Sequence, residues 1–359
     1  MGVPYERQLA ETDARVRGLL ADLAPTDAWA PIASGPESGF RNKAKLVVGG
    51  QRGAPTLGIL DTERRGVDLR DCGLYEPGLH DAVRGLADLV ADLGFTPYDV
   101  PRRTGELKHL IVTHSPDGEL MIRFVLRSEG QLAKLAASLP TITSALPKAR
   151  VITANLLPEH AAVLEGTAER VLTPDRLLPM RVAGLTLHLG PRSFFQTNTA
   201  VAEQLYLAAG SWLTDDVDRA ETAWDLYCGV GGFARVAARA LPGTAVTGVE
   251  ISEEAIAAAT VDAPANASFV AADAGAFAER HPLPGLLVVN PPRRGLDPSL
   301  CAAIESGPTE WLLYSSCNAE TLARDLRSMP SLRVVRAQVF AMFPQTEHNE
   351  TLVLCRRTA

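Results

Sequence analysis

The chain has 359 residues, 46% hydrophobic and 21% charged, which is the composition of globular domains and long enough for two or three of them. No apolar run is long enough to span a bilayer, and the polar, amphipathic start MGVPYERQLAETDARVRGLL does not read as a signal peptide, so no membrane partner is expected. The net charge of −7 provides no overall basic field for a nucleic acid, although it leaves room for a local basic face.

Leu9, Val16, Leu19, Leu20 and Leu23 recur on one face and predict an amphipathic helix over 5–24. APTDAWAPIASGP then breaks the pattern, so residues 1–30 are expected to be a helix and linker. From about 40 to 185 short β-rich runs dominate: KAKLVVGG, TLGILD, LKHLIVTHS, LMIRFVLRS, RVITANLL, AAVLEG and LTLHLG. Helical stretches interrupt them near 78–94 and 130–139, which predicts an α+β domain over 31–188 with a largely antiparallel sheet.

After about 190 the rhythm changes. A helix over TAVAEQLYLAAGSWL leads into TAWDLYC, TAVTGVEI, ASFVAAD, GLLVVN, EWLLYSSC, LRVVRAQVF and ETLVLCR, with helices expected at 232–240, 252–260, 274–280, 297–305 and 319–328. Alternating strands and helices predict an α/β, Rossmann-like sheet of seven strands over 189–359. The last two strands are joined by AMFPQTEHN, too short for a crossover helix, so the final strand is expected to be antiparallel.

The first strand of this half runs into DLYCGVGGFA, where Gly229, Gly231 and Gly232 form a turn that lets backbone approach a ligand closely. It is neither GxGxxG nor a P-loop. Glu250 ends the second strand, about 20 residues on, where an acid accepts hydrogen bonds from ribose hydroxyls. Asp273 ends the third strand and is suited to an adenine amino group. Without a phosphate-binding pattern, S-adenosylmethionine (SAM) fits better than a dinucleotide.

The fourth strand ends in VVNPPRRGLD, which puts Asn290 at the carboxyl edge of the sheet, where ligands bind in such folds. Arg293 follows the two prolines, where methyltransferases acting on exocyclic amines carry an aromatic and cytosine-C5 enzymes a cysteine. The five cysteines, Cys72, Cys228, Cys301, Cys317 and Cys355, lack metal-ligand spacing and point to the reducing cytosol. Cys317 ends the fifth strand and, taken alone, is open to three readings: nucleophile, metal ligand or filler. Glu350 begins the last strand and, in an antiparallel hairpin, comes to the same edge as Asn290 and Cys317.

These motifs resemble the C5-uracil RNA methyltransferases. The resemblance runs through SGPESGFRNKAKLVV, RSFFQTN, DLYCGVGG, NPPRRG, YSSCN and the ending FPQTEHNE, and is closest in wording to the branch acting on uracil 747 of 23S ribosomal RNA. It implies a class I SAM-dependent domain with a 23S rRNA substrate, no obligate protein partner and a monomer. It assigns the nucleophile to Cys317 and the general base to Glu350, and SAM contacts to Gln196, Tyr227, Glu250 and Asn290 beside the glycine loop. Cys317 must react as a thiolate, so Arg293 and Arg294 are expected to make its surroundings electropositive. The α+β domain is expected to meet RNA through Arg41, Lys43 and Lys108, with Lys45, Arg102, Arg103, Arg123 and Arg127 as further phosphate contacts.

Relatives in this branch carry a 4Fe–4S cluster. Cys72, in RDCGLY, matches its fourth ligand, and the three cysteines expected near the N-terminus are absent from this chain. Either the cluster was lost, leaving Cys72 as a relic, or translation starts further upstream; an in-frame reading of the DNA before Met1 decides between them. Other readings are a tRNA uracil-C5 methyltransferase, a small-molecule methyltransferase, and an RNA-binding protein with a vestigial site.

Overall fold

A computed structural model describes residues 2–358. Two compact units emerge, one of residues 1–37 with 182–359, the other of residues 38–181. The chain thus divides after 37 and 181 rather than at the expected 30 and 188, and the N-terminal helix and linker belong with the C-terminal unit.

That helix, α1 (Tyr5–Leu19), stops short of residue 24. Its apolar face buries Val16 and Leu20, with Leu19 and Leu23 partly covered, in the core that also contains Trp224, Leu312 and Leu326.

Residues 38–181 form a sheet of β1 (Lys43–Gln51), β2 (Ala54–Leu60), β3 (Gly66–Asp68), β4 (Leu107–His114), β5 (Leu120–Leu126), β6 (Ala149–Leu156) and β7 (Ala168–Val171), in the order β3-β2-β1-β4-β5-β6-β7. Only β5 and β6 pair in parallel. One face buries Leu46, Val48, Leu110, Ile122 and Phe124 together with Leu79, Val83 and Leu86 of α2 (Pro77–Asp92). Leu135 of α3 (Leu132–Ala137) and Ile142 of α4 (Leu139–Ala145) complete this core. The strand expected at AAVLEG is loop. Gly166 lies so close to the Leu156 carbonyl that a Cβ there would approach it to 1.9 Å, and pairing resumes only at Ala168.

A hairpin of β8 (Leu178–Val182) and β9 (Leu185–Leu189) follows in the chain, turning at Ala183 and Gly184, both with positive φ. Then come α5 (Thr199–Asp216), β10 (Thr222–Leu226), α6 (Gly232–Ala240), β11 (Ala245–Glu250), α7 (Glu253–Thr260), β12 (Ala267–Ala271), α8 (Ala274–Arg280), β13 (Leu286–Val289), α9 (Pro298–Ser306), β14 (Trp311–Ser316), α10 (Ala319–Arg327), β15 (Leu332–Phe340) and β16 (Glu350–Arg357). Their sheet runs β12-β11-β10-β13-β14-β16-β15, parallel except for β16, which is antiparallel to both neighbours. This is the doubly wound sheet the alternation predicts, and its order reverses between β10 and β13, where such folds bind ligands.

Strand β15 is one of the sheet's two edges. Ala30 and Ala33 donate to the Ala337 and Val339 carbonyls at 2.9 and 2.8 Å, and Ala341 donates back to Ala33 at 2.8 Å. The proline-bearing segment after α1 thus covers an edge that would otherwise present unpaired backbone groups.

Candidate active site

The carboxyl ends of the parallel strands and the start of β16 surround a cavity of about 810 Å³. Gln196, Tyr227, Gly229, Glu250, Asp273, Asn290, Cys317 and Glu350 all line it. Of the cofactor and catalytic candidates, only Gly231 stands back.

The glycine loop is held from below. Asp225 is fully buried; its Oδ2 accepts from the Ala234 amide at 2.7 Å, and burial pushes its carboxyl up to about 8. Tyr227 and Gly229 have φ of 63° and 54°, Gly231 of 82°. A Cβ on Gly231 would approach the Phe269 ring to 2.6 Å, so this glycine serves packing. A Cβ on Gly229 would meet nothing within 4 Å, which leaves that backbone open to the cavity. Glu250 accepts from the Gly229 amide at 3.3 Å and the Ser252 amide at 3.0 Å, orienting its carboxylate at the strand end. Asp273 caps α8 by accepting from the Ala276 amide at 2.9 Å.

Gln196 is buried, and Asn198 beside it caps α5 while donating to the Met342 carbonyl at 3.1 Å. This ties the SFFQTN loop to the end of β15. Among the lining residues not singled out from the sequence are two large apolar ones, Phe194 and Ile251, each 71% exposed. An aromatic beside Gln196 and an apolar residue directly after the strand-end acid were the available signals. Side chains this large and apolar, exposed at a cavity, fit the faces of a flat ring. With the Glu250 carboxylate and the open Gly229 backbone, they suit an adenosine rather than a phosphate.

The Asn-Pro-Pro corner is clamped to α10. Asn318 and Thr321 each donate to the Arg293 carbonyl at 3.3 Å, and Arg324 donates to that of Arg294 at 2.8 Å. Buried Asp325 accepts from the Leu296 amide at 2.8 Å and the Tyr314 hydroxyl at 2.7 Å. Arg293 reaches His348 Nδ1 at 2.6 Å.

Cys317 and Glu350 meet through the strand register. Ser315 pairs with Leu352 and Ser316 with Thr351, so the next step sets Cys317 opposite Glu350. Glu350 is 2% exposed, and burial raises its carboxyl to about 7, partly offset by a hydrogen bond from Ser315. The Cys317 thiol is pushed up by burial and then by Glu350, with Arg293 pulling it back. The expected electropositive setting thus reduces to Arg293; Arg294 acts on Tyr227 and Asp297 instead. Cys228, Cys301 and Cys355 are buried, with thiols raised chiefly by burial, as packing residues are.

In the unit of residues 38–181 the expected RNA contacts divide. Lys108 is buried, its Nζ donating to the Glu159 carbonyl at 2.6 Å and lying over the Tyr98 ring, so it is no surface cation. Arg123 is 2% exposed and paired with Glu169 at 2.6 Å and with Glu165. Arg102 and Arg127 pair with Asp99 and Glu106. Their partners come from turns and neighbouring strands, which composition does not reveal. Lys43 is half-buried; burial, then Lys45 and Arg123, push its ammonium down to about 8. Arg41 is half-buried, while Lys45 and Arg103 are exposed. Cys72 is half-buried, and among the described residues no group of three or more His, Cys, Asp or Glu is placed to hold a metal. These residues do not fit a 4Fe–4S cluster. No helix among the described residues is long and apolar enough to cross a membrane.

Comparison with known proteins agrees with this geometry. The family described as tRNA (Uracil-5-)-methyltransferase matches residues 284–358. A 23S rRNA (uracil(747)-C(5))-methyltransferase RlmC of Halothiobacillus neapolitanus is 46% identical, covering 99% of this chain and 94% of the relative. The protein of that name from Yersinia pseudotuberculosis is 45% identical over 98% and 94% of the two chains. The crystal structure of Pyrococcus abyssi tRNA (uracil-54, C5)-methyltransferase, in complex with S-adenosyl-L-homocysteine, superposes with a TM-score of 0.80 at 22% identity, over 98% of this chain and 84% of that one. With a full-length likeness at this identity and these strand-end residues around one cavity, the chain belongs to the RNA uracil-C5 methyltransferase family.

Proposed function

We propose that this protein methylates C5 of a uridine in 23S ribosomal RNA, the counterpart of uracil 747, with Cys317 as nucleophile and Glu350 as base. The observation that carries the reading is Cys317 facing Glu350 across the β14–β16 register, at the rim of a cavity suited to adenosine. Glu250, Asp273, Gln196, Tyr227, Asn290 and the Gly229 backbone are the groups that would hold SAM, with Gly231 shaping the loop beneath. SAM supplies an electrophilic methyl group.

C5 of uracil is a weak nucleophile. Addition of the Cys317 thiolate to C6 breaks the C5–C6 π bond and moves its electrons onto C5 and O4 as an enolate, which makes C5 reactive. After C5 is methylated, Glu350 takes the C5 proton; the C–H electrons re-form C5=C6 and the Cys317–C6 bond breaks, returning the thiolate. A carboxyl held near 7 accepts a proton and gives it up again at neutral pH. The target base leaves its stack to reach Cys317.

The substrate is tested by incubating the protein with labelled SAM and either 23S rRNA or tRNA transcripts and mapping the modified base. Label in 23S rRNA at the uracil-747 position is expected; label confined to tRNA overturns the substrate assignment.

Arg41, Lys43, Lys45 and Arg103 remain as phosphate contacts. Burial, and then the charges of Lys45 and Arg123, disfavour the Lys43 ammonium against the opposing pull of Glu165, and an incoming phosphate would favour it. Arg41→Glu with Lys43→Glu is expected to weaken RNA binding by roughly tenfold or more and to flatten its salt dependence, with SAM affinity unchanged. Filter binding across salt concentrations measures both, and unaltered RNA affinity removes these residues from the interface.

A further inference from the structure

The Glu350 carboxylate is held by one side chain. Ser315 Oγ donates to Glu350 Oε1 at 2.6 Å, and among the described residues this is its only hydrogen bond. Ser315 is 0% exposed and Glu350 2%, so water competes with neither group. Ser315 lies on β14 two residues before Cys317, which follows directly on the strand's last residue, Ser316. Continued by one residue past Ser316 and Thr351, the β14–β16 register puts Glu350 opposite Cys317 and diagonal to Ser315.

A serine hydroxyl has one proton to donate. Given to Oε1, it stabilises the ionised carboxylate, sets its plane, and leaves Oε2 as the acceptor. The other groups that act on Glu350 do neither. Tyr206, from α5, is a buried phenol raised by burial and then by Asp225 and Glu350, so it is neutral. Cys317 faces the carboxylate with no hydrogen bond to it, and Arg293 is engaged by Cys317 and His348.

We propose that Ser315 is a positioning residue: its hydroxyl holds Glu350 in the orientation and ionised form that accept the C5 proton. Strand β14 then carries the partner that orients the base and leads directly into the nucleophile, so the groups for adduct formation and adduct breakdown sit at one strand end. The inference rests on Glu350 being the base.

The test is single-turnover release of tritium from RNA tritiated at uridine C5, followed across pH for wild type, Ser315→Ala, Ser315→Thr and Glu350→Gln. Loss of the hydroxyl removes an interaction that lowers the carboxyl's proton affinity. The acid limb of Ser315→Ala should therefore move to higher pH by about one unit, the equivalent of a charge-assisted hydrogen bond. Release at pH 7 should be roughly fivefold slower and recover at higher pH, with SAM affinity and adduct formation within about twofold of wild type. Ser315→Thr keeps the hydroxyl and should keep the wild-type limb. If the Ser315→Ala limb coincides with wild type while Glu350→Gln accumulates adduct, the Ser315 proposal fails and the base assignment stands. If Glu350→Gln releases tritium at the wild-type rate, the base assignment fails and this proposal with it. Should Ser315→Ala lose SAM affinity through a packing defect, Ser315→Thr decides: a wild-type limb supports the role, a displaced limb overturns it.

Discussion

Cys317→Ala is expected to lower turnover by more than about a thousandfold and to abolish covalent trapping by RNA containing 5-fluorouracil. Among the described residues no other cysteine lines the cavity, and the thiol of Cys228, buried in the glycine loop, is raised far from the reactive range. Binding of SAM should persist, because the residues assigned to it lie on the other strand ends and on the loop before α5. The fold should persist as well, since Cys317 is only half-buried and losing its sulfur costs about 1 kcal/mol or less. Titration of SAM separates a chemical defect from a folding one. A variant that still methylates at the wild-type rate excludes Cys317 as the nucleophile. In the wild type, adduct formation should quicken as pH rises, because burial and Glu350 hold the thiol above its ordinary value.

Glu350→Gln is expected to do the opposite to the adduct: it should form and then persist. Proton removal from C5 should slow by roughly a hundred- to ten-thousandfold, the usual contribution of a general base. Denaturing gels that resolve the RNA-linked protein measure the adduct, and failure of any adduct to accumulate rules out the base assignment. Formation itself should be faster than in wild type at a given pH, since one of the two influences raising the Cys317 thiol is gone while burial remains.

The same substitution has a stability signature. Glu350 is raised from 4.5 to about 7 by burial, so the folded state holds a proton that the unfolded chain has released between those values. The contribution is fully present below the unfolded value and is lost as pH rises through about 7. A neutral glutamine removes that loss. Glu350→Gln should therefore melt higher than wild type at pH 8 and much the same at pH 4, with activity and stability moving in opposite directions. Thermal melts at the two values check the sign.

Much of the C-terminal unit could be read directly from the chain. Alternating apolar runs and short helices locate its strands to within a residue or two, and the short final connection makes β16 antiparallel, because such features depend on nearby residues. The glycine loop, Glu250, Asp273, Asn290 and Cys317 are legible for the same reason: each ends a strand, and in a parallel sheet the strand ends share one edge. Basic residues on the strands and turns of the other unit were less legible. A lysine in a β-run looks the same whether it meets solvent or lies beneath Tyr98, as Lys108 does. Arg123 likewise depends on Glu165 and Glu169, which reach it from a loop and from β7.

The sequence by itself determined the chemistry on offer: a thiol, a carboxylate and a nucleoside-type loop on one α/β sheet. Tertiary structure decided what depends on segments distant in the chain. The β14–β16 register sets Glu350 against Cys317 and gives Ser315 its hydrogen bond to the carboxylate. Burial of that pair raises both groups. The stretch after α1, with prolines and no strand signal of its own, becomes the cover of the β15 edge. The physical reason is the same in each case: local residues set secondary structure, whereas proton affinity, pairing and exposure are set by whatever the fold packs against them.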